Sequence, residues 1–85
     1  MRIAVDISLY PLNGDYIPPI KSFIDRISAY PGLTLEYNSL STQVAGDIDA
    51  VFAALRAEIG RTFDGPDRVV FVMKMLGGAQ PAREG

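Results

Sequence analysis

Six side chains of this 85-residue chain combine hydrogen-bonding groups with a flat ring in a way that could hold a small heterocycle: Asp6, Ser8, Tyr10, Asn38, Ser41 and Thr42. Asp6, Ser8 and Tyr10 recur at every second position, so in an extended segment they share one face. Asn38, Ser41 and Thr42 lie close together after Tyr37. An amide offers both a donor and an acceptor, and a hydroxyl rotates to serve either role. An aminopyrimidine sets ring-nitrogen acceptors next to an exocyclic amino donor, and such a cluster could read it. Tyr10 and Tyr16 could stack on a flat ring. Asp6 stands mid-segment, where a carboxylate is disfavoured unless solvated or paired, and it could recognise a cationic ligand. Each residue also has a plainer reading. Asn, Ser and Thr are common turn formers, an aspartate can simply be solvated or ion-paired, and tyrosines pack at sheet edges.

Catalytic constellations are harder to assemble. The chain has no cysteine, which excludes disulfides, thiolate metal sites and thiol nucleophiles. It has no histidine either, which removes the usual general base near neutral pH and the commonest transition-metal ligand. Ser8, Ser41 and Thr42 therefore lack an imidazole partner, and nothing around Lys21 or Lys74 marks either as an activated amine. Asp15, Asp25, Asp47 and Asp49 do not have calcium-loop spacing. Gly77-Gly78 is followed by no helix that could cradle a phosphate. The expectation is a protein without catalytic residues, metal or cofactor.

A net charge of −2 and eight scattered basic residues disfavour nucleic acid. No apolar run approaches the roughly 20 residues needed to span a bilayer. The opening Met1–Asp6 reaches a carboxylate before any sustained apolar stretch, unlike a signal peptide, so a cytoplasmic location is the default expectation.

The elements that must position the six residues follow from periodicity. Ile3, Val5, Ile7 and Leu9 alternate with Ala4, Asp6, Ser8 and Tyr10, which predicts a half-buried strand ended by Pro11. Asn13-Gly14-Asp15 supplies loop chemistry. Ile17, Ile20, Ile24 and Ile27, flanked by Phe23 and Tyr30, form a helical stripe opened by Pro18-Pro19 and stopped by Pro31-Gly32. Leu33–Tyr37 and Ser41–Ala45 read as a hairpin. Gly46-Asp47 starts a second helix with Asp47 as N-cap and an apolar face of Ile48, Val51, Phe52, Leu55 and Ile59. Asp64-Gly65-Pro66-Asp67 is a turn. Val69–Met75 is apolar except for Lys74, as suits a strand covered on both faces.

The order β-α-β-β-α-β predicts an α+β, ferredoxin-like sandwich. Both helices lie on one face of a four-stranded antiparallel sheet, with the first and last strands central. Residues 1–76 form one domain and 77–85 a flexible tail. A lone domain of this size is only modestly stable, and self-association would offset that. The odd set of the first strand packs under the helices. The even set, joined by Val70 and Val72, floors the open side with apolar patches and placed polar groups. That composition suits a small-molecule pocket. It suits a subunit interface equally, so a structural or regulatory oligomeric module without a ligand stays open as an alternative. RNA-recognition modules share the topology but need aromatics on their central strands, where only Tyr10 stands here. An acyl-phosphate hydrolase of this fold needs an arginine in its anion loop, and Leu12-Asn13-Gly14-Asp15 has none.

Ser8-Leu9-Tyr10-Pro11-Leu12, Tyr16-Ile17-Pro18-Pro19-Ile20, Phe23-Ile24, Asn38 to Thr42 and Gly46-Asp47-Ile48-Asp49-Ala50-Val51 together resemble the YkoF-like thiamine-binding proteins. The resemblance runs from about Arg2 to Met75. It implies a ferredoxin-like protomer that assembles through its sheets into homodimers or homotetramers. It also implies non-catalytic binding of thiamine or hydroxymethylpyrimidine. Carried onto this sequence, the residues for the pyrimidine are Ser8, Tyr10, Asn38, Ser41 and Thr42. Ligand-binding members of that group often carry the domain in tandem, and a single copy could rebuild the pair by homodimerisation. Asp6 or Glu36 could add negative potential toward the thiazolium cation.

Overall fold

A computed structural model describes residues 1–12, 17–38, 41–66 and 68–78. The element order is β1 (Arg2–Pro11), α1 (Ile17–Ile27), β2 (Thr34–Tyr37), β3 (Thr42–Asp47), α2 (Ile48–Asp64) and β4 (Val69–Gly77). This is the ferredoxin-like arrangement. The odd residues of β1, Ile3, Val5, Ile7 and Leu9, are buried, while its even residues are half-buried or exposed. Phe23 and Ile27 of α1, Val44 of β3 and Val51, Ala54 and Leu55 of α2 close on them as one core. Phe71 of β4 is clasped edge-on between Phe23, at 5.3 Å, and Phe63, at 5.5 Å.

The sheet order is β2-β3-β1-β4, all antiparallel. The centre is therefore β1 with β3, not β1 with the last strand as the sequence suggests. Each helical connection passes over one intervening strand: β1 to β2 crosses β3, and β3 to β4 crosses β1. The last strand is thereby delivered to an edge. A second expectation fails for the same reason. The apolar run of β4 is not covered on both faces, because the helix layer reaches only Val69 and Phe71. Val70, Val72 and Leu76 are exposed on the open side, and Met73 and Met75 on the helix side.

Other differences are smaller. β3 starts at Thr42 and continues through Gly46 and Asp47, so Asp47 both ends a strand and caps a helix. Its carboxylate accepts the Asp49 N–H at 3.1 Å, and that bond holds the Asp47 carboxyl below its usual value. α1 stops at Ile27, leaving Tyr30 in the following turn, where Gly32 takes a φ of +83°. Phe52, expected on the inner face of α2, is 46% exposed, and the buried stripe is Val51, Ala54, Leu55 and Glu58. β4 runs to Gly77. Asn13-Gly14-Asp15, Tyr16, Asp67 and most of the tail lie outside the described residues.

Gly46 is where β3 meets the loop after α1. A Cβ there would stand 2.9 Å from the Gly32 carbonyl oxygen and 2.9 Å from Leu33 Cδ2. The carbonyl is backbone and cannot swing aside. Gly46→Ala is expected to cost about 2 kcal/mol by overpacking, read as a lowered urea midpoint with an unchanged slope.

Candidate functional site

β1 outlasts its neighbour. Its pairing with β3 ends at Ile7 opposite Thr42, while its pairing with β4 continues to Pro11 opposite Val69. Beyond Ile7 the β3-facing edge of β1 therefore borders a notch rather than a strand. The turn between β2 and β3 stands beside that notch, and α1 roofs it through Ile20 and Ile24. The result is a cavity of about 430 Å³ lined by Ile7 to Pro11, Ile20, Ile24, Asn38, Ser41 and Thr42. That volume lies within the usual range for small-molecule pockets.

Five of the six residues singled out in the sequence line this one cavity: Ser8, Tyr10, Asn38, Ser41 and Thr42. They reach it from both sides of the sheet. Ser8, Tyr10 and Ser41 belong to the open side, whereas Thr42 alternates with Gln43 and points under the helices, 3% exposed. The Thr42 hydroxyl has no hydrogen-bond partner among the described residues. Asp6 is not a wall of the cavity. It accepts the Ser41 hydroxyl at 2.7 Å, across a gap of 35 residues in sequence. With its proton committed to Asp6, the Ser41 oxygen faces the cavity as an acceptor.

The Asn38 amide is oriented by its own turn. The Ser41 N–H donates to Asn38 Oδ1 at 3.0 Å and the Asn38 N–H donates to the Ser41 carbonyl at 3.0 Å. This double closure fixes where Asn38 and Ser41 stand. Tyr10 is exposed on the open side beside Val70. Ser39 and Leu40 of the same turn, and Tyr16, lie outside the described residues. Ile20 and Ile24 were not marked as site residues in the sequence. Their helical spacing reads only as core, although both are half-buried and supply the apolar roof. A shallower hollow of about 290 Å³ continues past them to Lys21, Asp25 and Tyr37.

The residues of the site match a family over almost their whole span. Residues 2–75 match the YKOF-related family. The chain belongs to that family. The match to the YKOF-related family takes in β1, α1 and the β2–β3 pair that border the notch. Solved structures of similar fold include the candidate thiamine biosynthesis/salvage protein TM0486 of Thermotoga maritima. It is 18% identical with a TM-score of 0.76, over 99% of this chain and 94% of that one. The hypothetical protein MJ1052 of Methanocaldococcus jannascii is 23% identical with a TM-score of 0.76, over 94% and 84%. Protein SP2199 of Streptococcus pneumoniae is 20% identical with a TM-score of 0.71, over 93% and 89%. No curated protein matches the chain.

Among the described residues no helix is long and apolar enough to cross a membrane, and no three carboxylates group as a metal site. The strongest polar constellation outside the cavity is one the sequence reading missed. Glu58 of α2 is buried and accepts hydrogen bonds from Arg26 Nε at 2.6 Å and the Tyr30 hydroxyl at 2.7 Å, with Arg61 Nε at 3.3 Å. Arg26 Nη2 donates on to Thr62 Oγ1 at 3.0 Å. Burial pushes the Glu58 carboxyl up, but the Tyr30 hydroxyl, Arg26 and Arg61 outweigh it and hold it below the usual value. Tyr30 is raised in turn, chiefly by donating to that carboxylate. The group clasps α1 to α2.

Proposed function

We propose that this chain is a non-catalytic binding protein for thiamine or its hydroxymethylpyrimidine moiety, acting as a homo-oligomer. The observation that carries the reading is the convergence of Ser8, Tyr10, Asn38, Ser41 and Thr42 on one cavity. An aminopyrimidine needs a donor for its ring nitrogen and an acceptor for its amino group. The Thr42 hydroxyl suits the first, and the Ser41 oxygen, with its proton held by Asp6, suits the second. Ile7, Leu9, Ile20 and Ile24 offer an apolar wall to the ring faces, and Tyr10 an aromatic rim. The Asp6 carboxylate behind Ser41 adds negative potential, which favours a cationic thiazolium over an anionic ligand. Membership of the YKOF-related family, and the name of the Thermotoga maritima structure, support the same ligand class.

Calorimetric titration with thiamine and with hydroxymethylpyrimidine tests the reading. Saturable heat with either ligand is expected, and heats equal to buffer dilution at millimolar ligand would end it. Thr42→Val is isosteric and removes only the hydroxyl. It is expected to weaken binding about 10-fold, in line with a lost buried hydrogen bond. Unchanged affinity would take Thr42 out of the site.

A further inference from the structure

We propose that the shallower hollow is a second subsite, which takes a planar organic cation joined to the ring in the main cavity. Tyr37 lies against the face of that cation, and Asp25 supplies its counter-charge. This rests on the binding function proposed above and narrows it. The ligand is the two-ring thiazolium compound rather than the lone pyrimidine.

The two spaces adjoin. Ile20 and Ile24 of α1 line both the main cavity and the hollow of about 290 Å³. The sheet register ties their floors together. Tyr37 of β2 stands directly opposite Thr42 of β3. Residues so opposed share a face, with Cβ atoms about 5 Å apart. Thr42 points under the helices, so Tyr37 stands on that same side, next to the hydroxyl assigned to the pyrimidine. The tyrosine is nonetheless 65% exposed, so its ring is available to whatever leaves the pyrimidine toward β2.

The charge of the hollow fits a cation. Lys21 and Asp25 stand one helical turn apart along it, with Lys21 Nζ 3.1 Å from Asp25 Oδ2. Both are well exposed, and such a pair holds weakly. The carboxylate can therefore turn to a bound cation while the flexible lysine swings into water. An aromatic face attracts an organic cation through the ring quadrupole, and the carboxylate adds direct charge complementarity. Glu36, which the sequence offered for this charge, stands opposite Gln43 and so faces the open side of the sheet. Asp25 is the carboxylate on the cavity side.

Calorimetric titration of the full chain with thiamine, hydroxymethylpyrimidine and deazathiamine tests this; in the last, a neutral thiophene replaces the thiazolium. Thiamine is expected to bind about 10-fold tighter than hydroxymethylpyrimidine and about 5-fold tighter than deazathiamine. Tyr37→Leu and Asp25→Asn should each weaken thiamine about 5-fold and leave hydroxymethylpyrimidine unchanged. Both side chains are largely exposed, so an unchanged Tm is expected and checks that the variants fold. Equal affinities for thiamine and hydroxymethylpyrimidine in the parent overturn the second subsite and leave the pyrimidine site standing. Equal losses for the two ligands in the variants do the same. Deazathiamine binding as tightly as thiamine overturns the choice of a cation. No heat with any of the three overturns this subsite and the binding function together.

Discussion

Glu58→Leu is expected to lower the stability of the domain by about 3 kcal/mol, which for a chain of this length is a fall in Tm of roughly 12–24 °C. The substitution does not create a cavity, since leucine nearly replaces the volume. What it removes is the acceptor shared by Arg26, Tyr30 and Arg61. Arg26 is only about one-third exposed, so its guanidinium would be left part-buried without a carboxylate. The loss of one member of a buried ion pair is much costlier than the loss of both. Adding Arg26→Met to Glu58→Leu is therefore expected to recover much of the loss. Thermal unfolding of the single and double variants measures this. Equal Tm values for the single variant and the parent would show that the clasp contributes nothing.

The same group sets an acid limit. Glu58 is held below its ordinary value in the folded chain and returns to about 4.3 when unfolded. The folded state therefore binds its proton less readily, so the contribution is complete above the unfolded value. It drains away as the pH falls through the folded one. Asp47, also lowered, acts in the same direction. Between neutral pH and about 5 the midpoint for urea should be flat with respect to these two groups, and below about 4.3 it should fall. Glu58→Leu should flatten most of that fall.

What was legible in the sequence was local. Alternation placed Ile3, Val5, Ile7 and Leu9 inside and Asp6, Ser8 and Tyr10 outside, because a strand has a period of two whatever its neighbours are. Asp47 was legible as a cap because a capping bond spans two residues. The position of β4 was not, because a run such as Val69–Met75 reports how apolar a strand is and not which strands flank it. Glu58 was missed because its partners Tyr30 and Arg26 lie 28 and 32 residues away. A signal was present, since Val51, Leu55 and Glu58 follow the inward stripe of the helix, and a carboxylate on such a stripe demands a cation or donor. The candidate site was half legible. Its polar groups were picked by chemical type, but the notch that gathers them depends on β1 outrunning β3, and its isoleucine roof looks like any core stripe.

Ile24→Trp is expected to reduce the affinity for thiamine or hydroxymethylpyrimidine about 100-fold while shifting Tm little. Ile24 stands on α1 between the main cavity and the shallower hollow, and it lines both. A larger ring at that position grows into empty space rather than into packed neighbours, so the overpacking cost of a core substitution is avoided. The indole would occupy volume that a ligand ring needs, and no polar wall residue is touched. A 100-fold loss is about 2.7 kcal/mol, more than any one hydrogen bond to the ring should supply. The effect should therefore exceed that of Thr42→Val. The comparison separates two ways of being wrong. Loss with Thr42→Val but not with Ile24→Trp would keep the ligand at Thr42 and place it clear of the α1 roof. Affinity unchanged in both would place it away from the notch. Loss in both, ordered as stated, is what a flat ring lodged between β1, the β2–β3 turn and the isoleucines of α1 requires.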